Sequence, residues 1–139
     1  MGKTTVKFIE GMQFTGQGES KHEVHMDASP KVGGTDSAAG PLEVMLCALG
    51  GCTGMDVVSI LRKMKTEPRS LQIEITDERA PDHPKVFTKL HLAYRVIGAV
   101  PQDNLQKAID LSLSKYCPIT NTLAGVVEIT SEVVVESDR

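Results

Sequence analysis

The chain is short of aromatic rings, with three Phe, two Tyr and no Trp in 139 residues. That removes the stacking platform on which single-stranded nucleic acids are held. Positive charge is scarce too: 15 Lys and Arg stand against 18 Asp and Glu, a net charge of -3. A protein that neutralises phosphates needs the opposite balance, so no nucleic-acid partner is expected. The longest apolar run, Val44 to Met55, has twelve residues, short of the ~20 that a membrane span requires. No membrane partner is expected, and no basic block with a following apolar run marks a signal peptide. Cysteine is limited to three residues, an odd number that does not suggest a disulfide framework. These thiols fit a reducing compartment, and a cytoplasmic protein is expected.

What remains is ordinary globular material, 40% hydrophobic and 24% charged. One domain over residues 1–139 is expected, burying roughly two-thirds of the unfolded surface. Two motif matches fail on context. Gly2-Lys3-Thr4-Thr5 lacks the upstream glycine and strand of a phosphate loop, and Val6 stands where a myristoylated chain needs Ser or Thr.

Apolar alternation at Thr4, Val6 and Phe8, then Met12 and Phe14, then His22, Val24 and Met26 predicts a meander of about three short antiparallel strands. Gly16-Gln17-Gly18 reads as a turn. The polar, small-residue segment from Ala28 to Gly40 is long for a compact domain, and loops of that kind are often functional or mobile. From Pro41 to about Lys65 the pattern is helical, with Pro41 suited to the first position. Its interior, Val44 to Met55, has no polar face, so burial on every side is expected. Gly50, Gly51 and Gly54 cost that helix about 1 kcal/mol each relative to Ala, which points to close approach of another group. Strands follow at Leu71–Thr76 and at Val86–Val96, the latter with Leu90, Leu92, Tyr94 and Val96 on one face. An amphipathic helix from Gln102 to Tyr116 shows the stripe Leu105, Ala108, Ile109, Ser112, Leu113 and Tyr116. A short helix over Pro118–Ala124 and a strand over Val127–Val135 close the chain. The order β-β-β-α-β-β-α-α-β indicates an α+β fold with antiparallel sheets.

Cys52 and Cys117 are the sharpest candidates for chemistry. Cys117 precedes Pro118, at or near the N-cap of the short helix, where free amides and the helix dipole favour a thiolate. Cys52 lies among Gly50, Gly51, Thr53 and Gly54, with little bulk to shield it. Each also fits the ordinary role of a small buried hydrophobe. Cys47 is turned about 140° from Cys52 around the helix and is assigned to the core. No CxxC, HExxH or similar ligand cluster occurs, so no metal is expected. His22 and His25 point to opposite faces of a strand and read as surface residues. Asp56 sits one turn beyond Cys52, where its charge raises a nearby thiol's pKa. Glu43 opens the helix, where its charge suits the dipole.

The run Gly40-Pro41-Leu42-Glu43-Val44-Met45-Leu46 leading to Gly51-Cys52-Thr53, with Tyr116-Cys117-Pro118-Ile119 much later, resembles the OsmC/Ohr family of osmotically inducible and organic hydroperoxide resistance proteins. The resemblance covers essentially the whole chain. It implies an OsmC-like fold, two intertwined subunits with long central helices buried between sheets, and a site at the dimer interface. It implies that Cys52 is the peroxidatic thiol, attacking a small peroxide, and that Cys117 resolves the sulfenic acid as a disulfide reduced by an external dithiol. No cofactor is implied. Glu43 is the catalytic carboxylate in this reading, although the family's glutamate commonly follows the proline directly, where Leu42 stands here. The family's N-terminal arginine has no counterpart before Arg62, and Lys31 and His25 are the alternative cations. The other expectation for such a scaffold is little peroxidase activity, with a role as a small-ligand binder or thiol redox sensor.

Overall fold

A computed structural model describes residues 1–137 of the chain. Its elements are β1 (Thr5–Phe8), β2 (Phe14–Gln17), β3 (Glu23–Met26), α1 (Pro41–Lys63), β4 (Ser70–Arg79), β5 (Phe87–Ile97), α2 (Gln102–Leu111), α3 (Pro118–Leu123) and β6 (Glu128–Glu136). They fall into two compact units, Met1–Cys47 and the remainder from Ala48, with α1 running across the boundary.

In the first unit β1, β2 and β3 form the expected antiparallel meander. Gly16 and Gln17 do not turn the chain. They pair with β1 and β3 inside β2, and the reversal waits for Gly18–Lys21, where the Lys21 amide bonds the Gly18 carbonyl at 3.2 Å. Phe8 and Phe14 face each other across the ladder with ring centroids 5.5 Å apart, a cross-strand pair of the kind that fixes register. Both rings stay exposed, as do Val6, Ile9, Met12 and Val24.

The long segment before α1 is ordered by one buried carboxylate. Asp27 Oδ1 accepts the Ala28 amide at 2.7 Å. Its Oδ2 accepts the amides of Thr35 and Ser37 at 3.3 and 2.9 Å and their hydroxyls at 2.9 and 2.6 Å. These donors hold the carboxyl far below the usual range, the Ser37 hydroxyl first among them. The chain folds back so tightly that a Cβ on Gly34 would lie 1.9 Å from the Ala28 carbonyl oxygen, so only glycine fits.

The second unit is built on a three-stranded sheet in the order β4-β5-β6. β4 and β5 are antiparallel, joined across the Pro81–Lys85 turn. β5 and β6 are parallel, which corrects the expectation of purely antiparallel sheets. The segment 98–127 is long enough to carry the chain back over the sheet through α2 and α3, the requirement for parallel pairing. β5 is central and turns Leu90, Leu92, Tyr94 and Val96 into the core. Phe87 joins them while Val86 is exposed, opposite to the simple alternation, because the register shifts at Glu78/Arg79.

α1 meets this core along one stripe, Leu49, Thr53, Val57 and Leu61, spaced one turn apart. Gly50 and Gly54 lie under β4: a Cβ on either would come 3.3 and 3.2 Å from the methyl ends of Ile75 and Ile73. That close approach accounts for two of the three glycines. Nothing stands within 4 Å of a Cβ on Gly51. Burial on every side is not found within one chain. Met55 is 76% exposed and Cys47, assigned to the core from sequence, is exposed, because the sheet covers a single face of the helix.

The Asp27 knot gives a pH-dependent stability. Its folded pKa lies below the value of about 3.9 in an unfolded chain, so the native state binds fewer protons between the two. The stabilisation is complete above about pH 5 and declines as pH falls through 4 towards the folded pKa. Thermal melts are expected to show Asp27→Ala lowering Tm by several degrees at pH 7, with the gap closing in acid. An unchanged gap at pH 3 would contradict this origin.

Candidate functional site

α1 places Cys52, Thr53 and Asp56 on consecutive turns of its second half. The other wall comes from the end of α2. The sequence pattern runs one helix to Tyr116, but α2 stops at Leu111 and continues as a π-helical turn, Ser112–Tyr116. The wider turn shifts the helical phase, which leaves Tyr116 49% exposed although it belongs to the apolar stripe by spacing. It also makes the Ser112 carbonyl, five residues back, the acceptor of the Cys117 amide at 2.8 Å. Such turns are frequent at functional sites.

Cys117 is fully buried at the N-cap of α3, as its sequence position indicates. Its sulfur accepts the Thr120 amide at 3.4 Å, and Pro118 fills the first helical position. Asn121 secures the turn by donating from Nδ2 to the carbonyls of Leu113 at 3.2 Å and Cys117 at 2.8 Å. Cys52 is half-buried beside it, and all three cysteines are free thiols. Burial pushes the Cys52 thiol above its ordinary pKa, and hydrogen bonding to the Cys117 thiol adds to the rise. The Ile119 amide facing the sulfur opposes it, while the charges of Cys117 and Asp56 add further upward pressure.

Under the thiol pair runs a buried chain of hydroxyls. Tyr94 OH lies 2.8 Å from Thr53 Oγ1, Thr53 Oγ1 2.7 Å from Ser112 Oγ, and Ser112 Oγ 2.9 Å from Asp56 Oδ2. Proton counting orients it. An ionised carboxylate only accepts, so the single hydroxyl proton of Ser112 goes to Asp56. Thr53 must then donate to Ser112, and Tyr94 to Thr53. The Tyr94 phenol is pushed up to about 12, mainly by burial, which keeps it protonated as the first donor.

The family model for OsmC-like protein matches residues 34–132, a span that includes both cysteines and every member of this chain of hydroxyls. The protein belongs to the OsmC-like family. Protein YhfA of Escherichia coli strain K12 is 37% identical over 126 residues, covering 90% of this chain and 91% of that relative. A hypothetical protein from Aquifex aeolicus VF5 superposes with a TM-score of 0.87 at 22% identity, over 100% of this chain and 98% of its own. An organic hydroperoxide resistance protein OsmC from Legionella pneumophila gives 0.72 at 13% identity, over 97% of both chains. At such identities these two structures establish the fold.

In this OsmC-like chain Cys52, Cys117 and Asp56 come together. Glu43 is exposed in the first turn of α1 and makes no hydrogen bond or ion pair among the described residues. Lys31 is exposed in the 3-10 turn Pro30–Val32. His25 is exposed 3.4 Å from Glu23, and His22 is exposed as well. Sequence reasoning missed Thr53, Tyr94 and Ser112 as a group. The signal was there: each is a hydroxyl on an otherwise apolar face, and buried hydroxyls need partners.

Because its pKa is raised, the reactivity of Cys52 is expected to climb about tenfold per pH unit through the neutral range, following the thiolate fraction. Iodoacetamide labelling read by peptide mass spectrometry checks this. Asp56→Asn keeps an acceptor for Ser112 and removes the charge, so it should move the profile to lower pH. A rate that is flat above pH 7 would contradict the raised pKa.

Proposed function

We propose that the protein is a cysteine-dependent peroxidase that reduces organic hydroperoxides or hydrogen peroxide, with Cys52 peroxidatic and Cys117 resolving. The observation that carries this reading is the proximity of two free thiols, Cys52 on α1 and Cys117 at the N-cap of α3, near enough that Cys117 raises the Cys52 pKa. The organic hydroperoxide resistance protein among its structural neighbours fits the same chemistry.

The Cys52 thiolate attacks the outer oxygen of R–O–O–H. An S–O bond forms, the O–O bond breaks, and the leaving alkoxide takes the thiol's proton to become R–OH. Sulfur has given up two electrons and is a sulfenic acid. The Cys117 sulfur then attacks the Cys52 sulfur: the S–S bond forms, the S–O bond breaks, and hydroxide departs as water with the Cys117 proton. An external dithiol restores both thiols by exchange and is itself oxidised. No metal or organic cofactor enters these steps. A reducing compartment such as the cytoplasm keeps the pair ready. Glu43 is assigned as an accessory carboxylate, with Glu43→Gln slowing turnover less than loss of either thiol.

A homodimer belongs to this proposal. α1 has a mean hydropathy of 1.8 over its most apolar window, of which only 22% is buried by the chain's own residues. Met55 and Gly51 on α1, with Val6, Phe8 and Val24 in the first sheet, are also exposed. A second copy is the cover we assign to these surfaces.

One observation favours the alternative of a ligand-binding or redox-sensing scaffold with little turnover. The raised Cys52 pKa, with Asp56 contributing, is the reverse of what a fast thiolate nucleophile needs. A cavity of about 300 Å³ lined by Leu113, Thr120, Ala124, Gly125, Val127 and Ile129 gives room for a small apolar group, and Thr120 connects its wall to Cys117.

Cumene hydroperoxide with dithiol recycling separates the readings. Wild type is expected to turn over, Cys52→Ser to be inactive, and Cys117→Ser to accumulate a sulfenic acid that dimedone traps. Wild-type peroxide loss at the buffer rate would sink the enzyme reading, and full turnover by Cys52→Ser would overturn its role. Sedimentation at micromolar concentration should give a dimer that Met55→Glu weakens, whereas a stable wild-type monomer would contradict the assembly.

A further inference from the structure

Ser112 is attached on two sides. Its hydroxyl is held by two groups of α1, donating to Asp56 and accepting from Thr53, next to Cys52 in sequence. Its carbonyl accepts the amide of Cys117 at 2.8 Å. The second attachment exists only because of the π turn. A regular helix would send the Cys117 amide to Leu113, four residues back, and here the Leu113 carbonyl is taken by Asn121 instead. The wider turn therefore routes the Cys117 backbone to a residue whose side chain is fastened to the Cys52 helix. Ser112 is fully buried, so neither attachment is traded for water without loss.

We propose that Ser112 is a positioning residue for the thiol pair, clamping the turn that carries Cys117 to the helix that carries Cys52 and so favouring closure of their disulfide. This rests on the reading of Cys52 and Cys117 as partners in a disulfide. The clamp acts on the effective concentration of one thiol at the other, the quantity that sets the exchange equilibrium with an external disulfide. In that equilibrium the reduced pair and one glutathione disulfide give the Cys52–Cys117 disulfide and two glutathione thiols. Electrons pass from the protein sulfurs to glutathione, and both protons end on glutathione.

The test titrates the protein, with Cys47→Ser to remove the exposed third thiol, against glutathione and glutathione disulfide. Acid quenching and maleimide labelling then read the fraction oxidised. Ser112→Ala is expected to lower the equilibrium constant about tenfold, a potential about 30 mV more oxidising. Asp56→Ala should do the same, while Asp56→Asn, which still accepts from Ser112, should stay within about twofold of wild type. Ile109→Val loosens the same core without touching the hydroxyls, and it should leave the potential unchanged. If Ser112→Ala does not fold by circular dichroism, the two Asp56 variants decide the matter. A Ser112→Ala potential equal to wild type overturns the clamp alone, as does an equal shift from Ile109→Val. A wild type that forms no Cys52–Cys117 disulfide at any ratio overturns the thiol-pair reading and the clamp with it.

Discussion

The hydrogen bonds of Thr53 to Tyr94 and Ser112, at 2.8 and 2.7 Å inside a sealed core, are the constraint on which the second unit depends. They join three elements that are far apart in sequence: α1, the central strand β5 and the turn after α2. Apolar contacts around them, such as those of the buried Leu90, Leu92 and Val57, carry no comparable directional requirement. A hydroxyl chain that must end on a carboxylate cannot slide. Each member has one proton to give, and a shift by one residue would strand a buried polar group. The network therefore sets where α1 lies along the sheet, and with it where the Cys52 sulfur sits.

The same constraint explains the electrostatics of the site. Asp56 is the terminal acceptor of the chain, and a charge there works against a Cys52 thiolate. The Ile119 amide at the start of α3 works for it. A structural requirement and a chemical one thus oppose each other at Cys52, and burial tips the balance towards the protonated thiol. In the first unit a carboxylate does the opposite task. Asp27 collects donors from its own loop and lies low in pKa because every neighbour stabilises its charge.

Much of the fold can be read from local pattern. The three-strand meander, the long helix opened by Pro41, the inward face of β5 and the N-cap position of Cys117 all follow from periodicity and capping chemistry. The misreadings share a physical cause. Gly16 and Gln17 look like a turn by composition, but cross-strand pairing outweighs propensity at a strand end. Tyr116 falls on the α2 stripe only if the helix keeps 3.6 residues per turn. The parallel pairing of β6 with β5 depends on where the crossover lands, which no local signal encodes.

The sequence by itself marked the candidates for chemistry and the need for cover: two cysteines on separate helix-forming segments, a carboxylate one turn beyond the first, and an apolar helix with more hydrophobic surface than one small sheet can cover. Residue type and short-range spacing are enough for that, because helix capping and amphipathicity are local properties. Only the tertiary structure decided that Cys52 and Cys117 lie side by side, that Ser112 ties the turn before Cys117 to α1 and that Asp56 accepts a hydroxyl proton. The hydroxyl bonds among them join residues some forty to sixty positions apart. Buried hydrogen bonds select such contacts once the chain has folded, and no spacing along the sequence can state them.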